Sequence, residues 1–178
     1  VEKGLVEVDA SGRTVRLPAP DGFCYPRTGV MTSESSAFLM LQPCAGDRSK
    51  GVYSMSVARD GLFGGAQPDE AMFGEFRAFL ETSDGARQLG LDAGSGAVFL
   101  LETHYADGAL YALAQDASAA QLSVSRTIIC RAFTELNGRM TIISFIPSKD
   151  DTRGAEDLRA ELTKVVKALK AANVQAGV

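Results

Sequence analysis

The chain has 178 residues, of which 46% are hydrophobic and 22% are charged, the composition of an ordinary globular domain. Its net charge is −4, and acidic and basic residues alternate along the chain, so the clustered Lys and Arg of a nucleic-acid-binding protein are missing. No apolar run reaches the roughly 18 to 20 residues that cross a bilayer. We therefore predict a single domain over residues 1–178, without a transmembrane segment and without a nucleic-acid partner.

The N-terminal third predicts strands interrupted by one long irregular segment. Two short strands are expected over residues 5–8 and 14–17, followed by a loop rich in Pro, Gly, Ser and Thr over residues 18–36. Further strands are predicted over residues 37–42 and 52–58.

The three cysteines carry information about the compartment. Cys24 and Cys44 lie in loop-like flanks, whereas Cys130 lies inside an apolar strand pattern. We interpret Cys24 and Cys44 as a disulfide and Cys130 as a buried thiol, with two unpaired thiols in a cytosolic protein as the alternative. Disulfides persist in oxidising compartments, so a periplasmic or secreted location is expected. The chain starts at Val1, and we expect either that an export signal has been removed or that the chain has been trimmed.

Two helical segments have clear amphipathic patterns. The first follows Pro68 and carries an apolar stripe that we expect to be buried; Ser83 or Asp84 is expected to cap a further short turn. The last runs to about Asn173 with a second apolar stripe, and residues 150–152 (Asp-Asp-Thr) are predicted to cap its start. The stripes consist of Met72, Phe73, Phe76, Phe79 and Leu80, and of Leu158, Leu162, Val165, Val166 and Leu169.

Two hairpins are predicted from their turns. Asp107-Gly108 separates apolar runs over residues 97–105 and 109–115, and Asn137-Gly138 separates runs over residues 127–136 and 139–146. Pairing through the second turn sets Cys130 opposite Phe145 and leaves both faces of the sheet largely apolar, so both must be covered. With two helical segments available, the fold class is predicted as α+β, a three-layer α/β/α sandwich around a mainly antiparallel sheet.

The order of these elements resembles the fold shared by PsbP, an extrinsic protein of photosystem II, and its relatives among small secreted bacterial domains. The matching features are the opening TVRLPAPDGF, the middle helix, the hairpins, and the ending that runs from MTIISF to ALKAAN. The phrase LPAPDGFC is also similar to the start of uncharacterised exported domains in which a second Cys follows the next strand. Members of this fold family are mostly binding or accessory proteins, so the resemblance implies a protein without chemistry of its own, and it transfers no functional residue.

Two features are candidates for function. His104, the only histidine, is predicted to lie opposite Tyr111 with Glu102 on the same face, a group that could transfer protons or bind a polar ligand. The ordinary alternative is a hydrogen-bonded patch on a sheet. The loop from Gly61 to Gly65 carries Leu62 and Phe63, which could contact a partner or pack back on the core.

The leading hypothesis is an exported, non-enzymatic binding or accessory domain with no cofactor and an unknown protein or small-molecule partner. The alternatives are a small enzyme that uses Glu102, His104 and Tyr111, and a protein-interaction module that uses Leu62 and Phe63. No metal site is predicted, because the three cysteines are far apart, no CxxC occurs and there is one His. No catalytic residue is assigned.

Overall fold

The computed structural model describes residues 4–46, 50–59, 68–90, 98–117 and 127–174. Within these ranges the protein is a mixed α+β fold with an eight-stranded, mainly antiparallel sheet, a separate two-stranded hairpin and three helices. The strands are β1 Leu5–Asp9, β2 Thr14–Pro18, β3 Phe23–Cys24, β4 Met31–Thr32, β5 Ser36–Pro43, β6 Val52–Ala58, β7 Val98–Ala106, β8 Ala109–Asp116, β9 Ile128–Leu136 and β10 Arg139–Ile146. The helices are α1 Glu70–Leu80, α2 Ser83–Gln88 and α3 Ala155–Asn173.

The large sheet has the strand order β3-β5-β6-β10-β9-β8-β7, and β4 pairs with the start of β5, whereas β3 pairs with its end. Both predicted hairpins are confirmed. Asp107 and Gly108 have φ values of 52° and 68°, and Asn137 and Gly138 have 48° and 74°, the left-handed pair that this tight turn requires. The predicted register of the second hairpin is confirmed as well, since Cys130 lies opposite Phe145.

Alternate residues of β8 enter two different apolar clusters, because successive side chains of a strand point to opposite faces. Ala109, Tyr111 and Leu113 belong to the cluster that contains the apolar stripe of α3. Their neighbours Leu110 and Ala112 belong to the cluster that contains Phe73 and Leu80 of α1. The two faces of β8 therefore contribute to two separate apolar clusters, each of which also contains helical side chains.

The two-stranded hairpin β1-β2 is fixed to the body by polar contacts at its turn and at its end. The Asn173 side chain, at the end of α3, accepts from the Arg16 main-chain N–H at 2.8 Å and donates to the Arg16 carbonyl oxygen at 2.6 Å. Asn137 donates to the Thr14 carbonyl oxygen at 2.8 Å. Strand β2 and helix α3 also contribute side chains to the same apolar cluster.

The predicted burial of the α1 stripe is only partly correct. Phe73 and Leu80 are buried, but Phe79 is 45% exposed and stacks on the half-buried Phe76 at a ring distance of 6.3 Å. A stripe of five positions spans a wider arc than the part of a short helix that touches the sheet, and residues at its margin stay in contact with water.

Both predicted helix caps were displaced. Thr82, not Ser83 or Asp84, caps α2 by accepting from the Gly85 N–H. Helix α3 begins after Gly154 with no side-chain cap, so residues 150–152 do not cap it. The reason lies in Asp151, whose carboxylate binds the Arg153 guanidinium. Short strands β3 and β4 also interrupt the segment that was predicted to be irregular.

A partly buried arginine joins the sheet to the end of α2. Arg131 of β9 donates to the carbonyl oxygens of Leu89 and Gly90 at 3.0 and 2.9 Å, and burial lowers its pKa while the buried Asp116 raises it. This contact holds the end of α2 against the sheet. None of the helices in the described ranges is both long enough and apolar enough to cross a bilayer.

Candidate functional site

A cleft of about 450 Å³ opens beside the N-terminal disulfide. Its walls come from β3, from the residues around the start of β6, from the end of β10, from the segment before α3 and from α3 itself. The lining residues are Asp21, Phe23, Lys50, Tyr53, Phe145, Asp150, Asp151, Thr152, Arg153 and Glu161. A volume in this range accommodates a small organic ligand.

The disulfide holds one wall of the cleft in place. Cys24 and Cys44 are bonded with a Cα–Cα distance of 5.0 Å, which confirms the predicted pairing. The Cys44 N–H donates to the Gly22 carbonyl oxygen at 2.9 Å, and Phe23 pairs with Pro43. The segment that carries Asp21 and Phe23 is thereby tied to the end of β5.

Aromatic rings form the base of the cleft. Tyr53 and Phe145 face each other across the β6–β10 ladder with a ring distance of 4.6 Å, and Phe23 meets the Tyr53 ring edge-on at 4.8 Å. All three residues are buried. Interlocked rings of this kind form a rigid base under side chains that are in contact with water.

A bidentate ion pair forms part of the rim. Arg153 binds the Asp151 carboxylate through Nε at 3.1 Å and through Nη2 at 2.7 Å, and its guanidinium lies 5.5 Å from the centre of the Phe145 ring. The hydrogen bond to Asp151 raises the pKa of Arg153. Pairing and stacking together fix this cation at the rim.

The Tyr53 hydroxyl lies buried at the charged side of the cleft. No described residue forms a hydrogen bond of normal length with it, and the Glu161 carboxylate is the acceptor that acts on it. Burial first, and then the negative charge of Glu161, raise the pKa of Tyr53, and Arg153 lowers it; Cys130 and hydrogen bonding toward Glu161 are smaller causes that also raise it. The phenol therefore stays protonated at neutral pH, and its oxygen can accept from a further donor.

The three residues of the predicted polar cluster do not surround a common cavity. His104 lies opposite Tyr111 as predicted, with a ring distance of 6.4 Å, but its side chain is exposed. Glu102 forms an ion pair with Arg159 of α3. Glu102 and Tyr111 line a cavity of about 10 Å³, room for one water molecule, and His104 is not part of its lining.

The remaining sequence candidates have separate outcomes. Cys130 is buried at the sheet face that α3 covers, as predicted. Leu62 and Phe63 lie outside the described residues. Within the described ranges, no three or more His, Cys, Asp or Glu side chains come together as a metal site.

The cleft could not be predicted from the sequence. Its residues come from five separate stretches, and the pair Asp150-Asp151 also has the composition of a helix cap. The unused signal was the charged run from Lys149 to Arg153, which is longer than a cap needs.

Comparisons of this chain with protein-family models, with curated proteins and with solved structures find no match. The features that bear on function are therefore the cleft, the disulfide and the arrangement of the sheet.

Proposed function

We propose that this protein is an exported binding or accessory domain of three-layer α/β/α architecture, and that the cleft beside the disulfide holds its small-molecule ligand. The observation that supports a binding role is the cleft itself, a concave site with a rigid aromatic base and a charged rim. The PsbP-like resemblance belongs to the same proposal and favours binding over chemistry.

Two further observations support the architecture and the compartment. Apolar clusters on the two faces of the sheet contain helical side chains from α3 and from α1, as a three-layer arrangement requires. The disulfide between Cys24 and Cys44 favours an oxidising compartment, either the periplasm or the exterior of the cell.

The cleft is favoured as the site over the cluster of Glu102, His104 and Tyr111 because of its size. The cavity beside that cluster has room for one water molecule, whereas the cleft has room for a ligand of several functional groups. A role for the cluster in proton transfer remains the second proposal, and it requires a substrate bound on the open surface around His104.

The binding proposal is tested by titrating the ¹⁵N-labelled protein with a panel of small amines, carboxylates, sugar phosphates and neutral sugars. We expect at least one class to shift the amide resonances of cleft residues to saturation. Thr152→Trp, an exposed position that lines the cleft, is expected to abolish these shifts by filling the space. Thr28→Trp, an equally exposed change outside the lining, is the matched control.

Two results would contradict the binding proposal: no class of compound shifts the cleft resonances, or Thr152→Trp and Thr28→Trp leave the same shifts. The proposed compartment has its own test. Protein recovered from its natural host with thiols blocked at lysis is expected to have Cys24 and Cys44 unlabelled, and labelling of both would contradict export.

A further inference from the structure

We infer that the ligand of the cleft carries an organic ammonium group, an inference that rests on the proposed binding function. The first observation is the charge of the lining. Four carboxylates (Asp21, Asp150, Asp151, Glu161) face two cationic side chains (Lys50, Arg153), a net charge of −2. A concave site with this excess attracts cations and repels anions.

The Asp151–Arg153 pair accounts for one charge of each sign. The Asp151 side chain is 5% exposed, and its carboxylate is held by two guanidinium nitrogens of Arg153. The pair is neutral as a whole, and Glu161 also acts on Arg153 electrostatically. The excess therefore belongs to the remaining three carboxylates and Lys50.

Lys50 lies at one end of the cleft. Its ammonium group is 3.8 Å from the position that a side-chain carbon would take at Gly22. Among the described residues, no ion pair within 4.0 Å involves Asp21, Asp150 or Glu161. Asp150 and Glu161 come from the end of the cleft formed by α3 and the segment before it, where the lining cation is Arg153, already bound to Asp151.

The buried hydroxyl of Tyr53 lies at this same end. It forms no hydrogen bond of normal length with a described residue, and Glu161 acts on it both through its charge and as a hydrogen-bond acceptor, which leaves the Tyr53 oxygen able to accept. An ammonium group has three N–H donors and no acceptor, so one such group at the base of the cleft can donate to Glu161 and to the Tyr53 oxygen together. A carboxylate or phosphate ligand would instead meet Asp150 and Glu161 with like charge.

The test compares three probes of similar size and different charge: n-butylammonium chloride, sodium butyrate and 1-butanol, titrated at constant ionic strength. We expect butylammonium to shift the amide resonances of residues 150–153 and 161 to saturation, and butyrate and butanol to leave them unchanged. Glu161→Gln keeps the shape and removes the charge, and it is expected to weaken butylammonium binding about tenfold, the loss of one charge-assisted hydrogen bond.

A control variant and a second test variant keep the result interpretable. Glu75→Gln makes the same change on the exposed side of α1, away from the cleft, and is expected to leave the affinity unchanged. Asp150→Asn, at an exposed position, is expected to weaken binding in the same direction as Glu161→Gln, so a folding defect in one variant leaves the other informative.

The outcomes separate the ligand class from the binding function. Saturable shifts with butyrate, or equal affinities of butylammonium for Glu161→Gln and Glu75→Gln, would overturn the ammonium inference while the cleft remained a binding site. Absence of shifts with butylammonium would also overturn it. If the wider panel also failed to perturb the cleft, the proposed function itself would be overturned.

Discussion

Reduction of the Cys24–Cys44 disulfide is expected to lower the free energy of unfolding by about 3 kcal/mol. The two cysteines are 20 residues apart in sequence, and in the chain-entropy model a closed loop of that length restricts the unfolded state by this amount. The folded state keeps the loop ends together without the bond, because β3 pairs with β5 and the Cys44 N–H binds the Gly22 carbonyl oxygen. We therefore expect the reduced protein to remain folded with a lower free energy of unfolding.

Urea unfolding of the oxidised and the reduced protein, followed by far-UV circular dichroism, measures this difference. With a slope of about 2 kcal/mol per molar urea, the midpoint falls by about 1.5 M on reduction. Cys24→Ala/Cys44→Ala is the control, since reductant should leave its midpoint unchanged even though Cys130 keeps its thiol. Equal midpoints for the oxidised and reduced wild-type protein would refute the loop-entropy reasoning.

Three further predictions concern buried polar groups. Arg131→Met removes two hydrogen bonds to the main chain and the positive charge beside the buried Asp116. It should lower the free energy of unfolding, measured by urea denaturation, by about 3 to 5 kcal/mol. The control Arg77→Met breaks an exposed ion pair and should lower it by at most about 0.5 kcal/mol. Tyr53→Phe removes a buried hydroxyl that has no hydrogen bond of normal length and should raise the free energy of unfolding by about 1 kcal/mol. Tyr25→Phe loses a 2.6 Å hydrogen bond to the main chain and should lower it by about 1 kcal/mol; the opposite order would contradict the assignment of partners. Burial raises the pKa of Tyr25 and Tyr53, so the unfolded chain loses the phenol protons at a lower pH than the folded protein. The contribution of these groups to stability is therefore complete below about pH 10 and falls above it. Tyr25→Phe/Tyr53→Phe should lose less stability than the wild-type protein between about pH 9 and pH 11, and parallel losses would refute this.

The hairpins could be predicted from the sequence because their determinants are local. Asp107-Gly108 and Asn137-Gly138 each need positive φ at both positions, and the register follows from counting outward from the turn. The pairing of β6 with β10 could not be predicted in this way. It joins strands about 90 residues apart through packing of side chains such as Tyr53 and Phe145, for which no turn specifies the partner.

At the helix ends, the local rule that an Asp side chain caps the helix start does not hold everywhere. Asp69 caps α1 by accepting from the Met72 N–H, near the start that Pro68 indicated. Asp151 has the same chemistry, but its carboxylate accepts from the main-chain N–H and from the guanidinium of Arg153, ahead of the helix start at Ala155. The spacing along the chain does not show that α3 begins this late.

The sequence by itself determined most of the strands, the helical segments and the two tight turns, and it favoured the pairing of Cys24 with Cys44, because periodicity, turn chemistry and loop-like flanks act over short distances. Only the tertiary structure decided which charged and aromatic side chains share a cleft. The cleft combines residues from position 21 to position 161, and its charge excess exists because the fold brings four carboxylates and two cations together. Electrostatic fields depend on distance in space, and no spacing along the chain carries that information.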